Sequence, residues 1–185
     1  IKGRSLFQGV SEDDMKITDV RARQPEASHS PGGWRASMGQ ISVAVDTDSG
    51  LTGYGIGGGG AAGIHVIEQE LRPLLLGADG TDVEGLWEAM YRASLAYGRK
   101  GLTIMAISGV DLALWDLRGK DAARPIAALL SDTPAQDMPA YSTTSVDGVA
   151  VAVGAGFGAV KVGGIGRLDP QTQTDEIVDL LGQAR

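Results

Sequence analysis

Ser108-Gly109-Val110-Asp111-Leu112-Ala113-Leu114-Trp115-Asp116-Leu117-Arg118-Gly119-Lys120, followed shortly by Arg124-Pro125-Ile126, decides how this chain folds. Ile107, Val110, Leu114 and Trp115 recur at helical spacing. Leu112 and Leu117 fill other faces, so Leu102 to Arg118 reads as a helix buried on nearly every side. Gly119 stands where a left-handed C-cap residue belongs, Lys120 complements the negative helix end, and Pro125 forbids an early restart. Asp111 and Asp116 are five residues apart, hence on different faces. They read as structural charges that cap or pair locally.

Upstream of this helix the period changes from helical to alternating. Met15 to Arg23 presents Ile17, Val20 and Ala22 as the apolar side of a strand, and Gln40 to Asp46 presents Ile41, Val43 and Val45. Asp48-Ser49-Gly50 supplies a turn and Leu51 to Ile56 returns as a third strand, which predicts an antiparallel meander. Ile64, Ile67, Leu71, Leu74 and Leu75 then form a helical stripe that Pro73 kinks or ends. Thr81-Asp82-Val83-Glu84 has the form of a capping box. Val83, Leu86, Trp87, Met90 and Tyr91 follow as the inner face of the next helix. Strands first and helices second predict an α+β domain over residues 1–130.

Ser131 to Pro139, with two prolines and two aspartates, reads as a linker. From residue 140 onward the pattern becomes strand, helix, strand, helix. Pro139 to Thr144 and Gly158 to Val162 are the strands. Val146 to Gly156 is strand-like in composition but is assigned as helix, because two parallel strands need a crossover. Asp169-Pro170 opens a last helix with Ile177, Val178 and Leu181 inside.

Bulk composition excludes several functions. The 185 residues are 43% hydrophobic and 21% charged, which fits a folded globular chain, and the net charge of −7 with no basic aromatic stretch argues against nucleic acid. The chain has no cysteine, so disulfide and thiolate chemistry are out and a reducing cytoplasm is expected. No apolar run approaches the roughly 20 residues that span a bilayer.

The helix motif closely resembles the end of the capping domain in the mandelate racemase and muconate lactonizing branch of the enolase superfamily. There the common pattern is A-x-x-x-D-x-A-L-W-D-L-x-G-K-x-x-x-x-P-[IV]-x-x-L-L. A meander plus helices, a linker and βα units fit the same family along the whole chain. Tyr97-Gly98-Arg99-Lys100-Gly101 is most similar to the acid-sugar dehydratases of the rhamnonate type. The resemblance implies an α+β capping domain followed by the first two βα units of an incomplete TIM-type barrel. It also implies a Mg²⁺-dependent enzyme that abstracts the α-proton of a carboxylate, a small acid-sugar substrate and a homo-oligomer.

A (β/α)₈ barrel needs roughly 250 residues, and residues 140–185 supply 46. In the family the three Mg²⁺-binding carboxylates sit on the third to fifth barrel strands. The expected metal ligands are therefore none within this chain, and the chain alone is expected to be inactive.

Five residues carry the site expectations. Lys161 ends the second barrel strand, where the family often has Lys-x-Lys with a catalytic base. Here the pattern is Lys161-Val162-Gly163, so the usual second lysine is replaced. The resemblance places His29, Trp34 and Arg35 in the loop between the first two strands, which selects substrate in the family. An arginine fork suits a carboxylate or diol. Thr143, within Ser142-Thr143-Thr144-Ser145, lies at the end of the first barrel strand, where active-site groups gather. Gly53-x-Gly55-x-x-Gly58 mimics a dinucleotide fingerprint, but its strand belongs to a hairpin, which contradicts that use. The alternatives are a non-catalytic capping and association module, or a racemase or cycloisomerase of the same branch.

Overall fold

The computed structural model describes residues 15–25, 38–96, 98, 100–162, 178, 179 and 182. It divides the chain into two compact units, Ile1–Pro134 and Ala135–Arg185.

In the first unit, β1 (Ile17–Arg23), β2 (Ile41–Thr47) and β3 (Thr52–Gly57) form the expected antiparallel meander in the order β1-β2-β3. Ile41, Val43 and Val45 of β2 are buried, as strict alternation requires. On β1, Ile17 and Val20 are three residues apart and both buried, because the register with β2 shifts between Ile17 and Asp19. Gly50, at φ 83, closes the β2–β3 turn by donating its N–H to the Thr47 carbonyl over 3.2 Å.

The next helical segment shows how a proline is accommodated. Helix α1 (Gly60–Val66) runs into a widened turn, Ile67–Leu71, and then α2 (Arg72–Leu75). Pro73 has no N–H and its ring would press on the carbonyl four residues back. The backbone widens just before it, and the Arg72 N–H reaches back five residues to the Ile67 carbonyl. Ile67, Leu71 and Leu75 stay fully buried across the change.

Helix α3 (Val83–Ala93) corrects one expectation. The Thr81 hydroxyl bonds the Asp79 carboxylate at 2.9 Å, so no capping box forms on it. Asp82 is the N-cap instead, accepting from the Gly85 N–H at 3.1 Å. Val83, Leu86 and Met90 are buried, while Trp87 stacks on Tyr91 nearer the surface, with ring centroids 5.1 Å apart.

Helix α4 (Leu102–Asp121) is the decisive stretch, and it departs from expectation twice. It runs past Gly119, which is not the left-handed cap. Ala123 adopts that conformation (φ 48), with Arg124 N–H on the Gly119 carbonyl and Ala123 N–H on the Lys120 carbonyl, a Schellman closure. Gly119 instead lets the short helix α5 (Ile126–Leu130) approach, since a Cβ there would stand 3.0 Å from the Ile126 side chain. Burial is also one-sided. Ala106, Val110, Ala113 and Leu117 are buried, whereas Leu112 is 47% exposed.

The buried side of α4 lies against β3 almost backbone to backbone. A Cβ on Gly53 or Gly55 would collide with the carbonyl oxygen of Ala113 or Gly109, and one on Gly57 would come within 2.8 Å of Met105 O. Two residues of strand advance about 6.6 Å and four of helix about 6 Å, so the three contacts repeat in step. The free edge of β3 is then capped by α4 side chains. Tyr54 N–H donates to Asp116 at 2.8 Å, and Lys120 Nζ donates to the Thr52 carbonyl at 2.7 Å and to Asp116 at 2.6 Å. Covering an edge strand in this way blocks pairing with another chain.

The second unit contains β4 (Ser142–Thr144) and β5 (Val160–Val162), paired in parallel, with a 3₁₀ turn (Val146–Gly148) and α6 (Val149–Gly154) between them. The crossover helix forms as expected, while both strands are shorter than the sequence suggests. The helix expected from Asp169 lies outside the described residues except at Val178, Asp179 and Gly182, which are helical.

Candidate functional site

In the second unit the parallel register sets Ser142 opposite Val160, Thr143 opposite Lys161 and Thr144 opposite Val162. Side chains alternate across a sheet, so Thr143 and Lys161 leave the same face. Both are exposed, whereas Ser142, Thr144, Val160 and Val162 are half-buried. Two of the five expected site residues are thus brought together as cross-strand neighbours. A hydroxyl beside a lysine can hold a carboxylate or a polyol through a charge and a neutral hydrogen bond.

The first unit contributes a groove of about 330 Å³ where the end of β3 meets the start of α4. It is lined by Met38, Gln40, Ile56, Gly57, Ile104 and Ser108, among others. Apolar walls with two polar groups suit a ligand that is part hydrocarbon and part hydroxyl. His29, Trp34 and Arg35 lie outside the described residues. Sequence reading missed the groove because its residues come from three separate segments, none of which carries a charge.

Among the described residues two carboxyl groups are perturbed. Burial pushes the Asp111 carboxyl up, and it has no hydrogen-bond partner among the described residues. The Arg72 guanidinium, 2.7 Å from Asp19, holds that carboxyl below the usual range. Asp111 lies on α4, so its shift reflects helix packing. Asp116 does pair locally, with Lys120 and the β3 backbone. Among the described residues no three His, Cys, Asp or Glu side chains converge as a metal donor set. No described helix is long and apolar enough to cross a membrane.

Comparison with known proteins supplies the remaining findings. The family model "Mandelate racemase / muconate lactonizing enzyme, N-terminal domain" matches residues 14–131. The chain is 41% identical over 157 residues to an L-rhamnonate dehydratase of Saccharopolyspora erythraea, covering 82% of this chain and 40% of that protein. It is similar to the crystal structure of L-rhamnonate dehydratase from Gibberella zeae, with a TM-score of 0.76 and 28% identity, over 96% of this chain and 50% of the other. A Mg complex of rhamnonate dehydratase from the same organism matches with a TM-score of 0.74 at 25% identity, over 94% and 50%. The chain therefore spans about half the length, or less, of these relatives. The antiparallel setting of Gly53 and Gly55 on β3 gives the dinucleotide fingerprint no βαβ context.

Proposed function

Since the chain belongs to the mandelate racemase / muconate lactonizing enzyme family, we propose that it is the cap-bearing part of an acid-sugar dehydratase of the rhamnonate kind. The observation that carries this reading is the 41% identity with an L-rhamnonate dehydratase over 157 residues. In this reading residues 1–130 are the cap, 131–139 the linker and 140–185 the opening of a (β/α) barrel.

Each proposed residue has a physical role. Thr143 and Lys161, register neighbours on one exposed face, contact the polar groups of the substrate, with Lys161 giving charge and Thr143 orientation. His29, Trp34 and Arg35, between β1 and β2, select the sugar chain. The reaction removes the proton α to the carboxylate and expels the β-hydroxyl as water, so a 2,3-dihydroxy acid becomes a 2-keto-3-deoxy acid. Mg²⁺ enters the proposal through the Mg complex of the Gibberella zeae relative. The described residues offer no donor set that fits the ion, so no step is assigned through it here.

The test is an assay of this chain alone and of the chain completed with the C-terminal portion of the Saccharopolyspora relative. Both are offered a panel of acid sugars with Mg²⁺ and followed for 2-keto acid. The completed protein should turn over at least one acid sugar and the chain alone none. A completed, folded protein inert toward the whole panel contradicts the reading.

A further inference from the structure

The side of the meander turned away from α4 carries a regular grid of side chains. Gly53, Gly55 and Gly57 face α4, so Tyr54 and Ile56 leave the other face of β3, where they are 62% and 50% exposed. The register sets Arg21 beside Ala44 and Ala44 beside Tyr54. In the next row it sets Arg23 beside Ser42 and Ser42 beside Ile56. Small residues on the central strand between long ones on its neighbours make a trough. A cavity of about 160 Å³ lies there, lined by Arg21, Arg23, Ser42, Ala44 and Tyr54, among others.

The charges in this trough do not cancel. Asp46 accepts from Arg21 Nε and Nη2, both at 2.8 Å, and from the Thr52 hydroxyl at 2.8 Å. Both Asp46 oxygens are thereby used, while Arg21 Nη1 has no partner among the described residues. The hydrogen bonds from Asp46, and more weakly the charges of Asp46 and Asp19 and the Tyr54 phenol, push the Arg21 pKa up. The phenol thus lies within electrostatic reach of the guanidinium, across Ala44. One row on, the Arg23 guanidinium has no ion pair or hydrogen bond among the described residues. A chain of net charge −7 therefore keeps an uncompensated cation in this cavity. On the far wall Lys120 Nζ stands 4.7 Å from the centroid of the Tyr54 ring and steadies it.

We propose that this trough binds a small organic carboxylate with a flat apolar body, of the benzoate kind. The carboxylate lies between the Arg23 fork and the free N–H groups of Arg21, and the body rests on Ala44 against the Tyr54 ring. Guanidinium groups pair with a carboxylate through parallel hydrogen bonds. The ring and the methyl floor offer contact area that an inorganic anion leaves unused. The inference does not rest on the dehydratase reading.

NMR of the backbone amides and arginine side chains of the whole chain tests it, at ionic strength fixed with chloride. Benzoate is the probe, and benzyl alcohol supplies the same ring without the charge. Benzoate should shift the signals of Arg21, Arg23, Ser42, Ala44 and Tyr54 along one saturating curve. Benzyl alcohol should bind about tenfold more weakly, the scale of one hydrogen bond to a charged group. Arg23→Gln should weaken benzoate by about the same factor. Tyr54→Ser should weaken it several-fold, and Tyr54→Phe should keep it. Both side chains are exposed, so an unchanged urea midpoint should show that the variants fold. Shifts that never saturate or that centre elsewhere overturn the proposal. So does benzyl alcohol binding as tightly as benzoate, or unchanged affinity in a folded Arg23→Gln variant.

Discussion

The two units differ in how much of their own surface they cover. The first closes a core in which Ile41, Ile67, Leu86, Val110 and Leu117 are all at most 1% exposed, with the β3 edge capped by Asp116 and Lys120. In the second, Ala152 is the buried hydrophobic residue among those described, and Val151 is 75% exposed. Among the described residues its sheet is the single parallel pair β4–β5, and two-strand pairs are marginal in water. The contrast shows what a capping domain needs: a meander, helices along one face and covered edges suffice for a self-contained core. A lone βα pair needs neighbours to bury its apolar surface.

The strongest way to break the comparison is to separate α4 from β3. Gly55→Val places a side chain into the Gly109 carbonyl, where backbone must move on both sides. Overpacking of this kind costs about 3 kcal/mol or more, so urea denaturation should show the first unit largely losing its cooperative transition. A loss near zero would mean that α4 does not rest on the β3 backbone.

A smaller effect is expected at the capped edge. Asp116→Ala leaves Tyr54 N–H without its acceptor and Lys120 without its carboxylate partner. The cost should be about 1–2 kcal/mol, visible as a lower urea midpoint. A double-mutant cycle with Lys120→Met should give coupling, since both side chains serve one strand edge.

The smallest effect has a sign set by burial. Asp111 has a raised carboxyl pKa in the fold because burial disfavours its charge. The folded state then holds this proton more tightly than the unfolded chain. The penalty is absent below the ordinary carboxylate pKa, grows as pH rises through the folded value and is complete above it. Asp111→Asn should therefore stabilise the first unit at pH 7, with the gain vanishing below about pH 3.8. A gain that grew toward acid would contradict this assignment.

Much of the first unit was legible in the sequence for a simple reason. Ile41, Val43 and Val45 repeat at the period of a strand, and Ile67, Leu71 and Leu75 at that of a helix, so local pattern and burial coincide. Failures came where several residues compete for one local role. Thr81 and Asp82 can both cap α3, and the Thr81 hydroxyl is taken by Asp79. Gly119 is the natural left-handed residue, yet Ala123 takes that conformation while Gly119 makes room for Ile126. Of the candidate site, the sequence placed Thr143 and Lys161 on consecutive strands, and the register that sets them opposite each other came from the structure. It did not disclose the groove or the edge cap, because both require knowing that α4 lies along β3.

Amide hydrogen exchange along the whole chain tests the central contrast most directly. The account predicts strong, shared protection for β1, β2, β3 and α4, limited only by unfolding of the first unit. It predicts weak protection from local opening for β4, α6 and β5. Equal protection in both units would contradict the claim that the first is self-contained and the second is not.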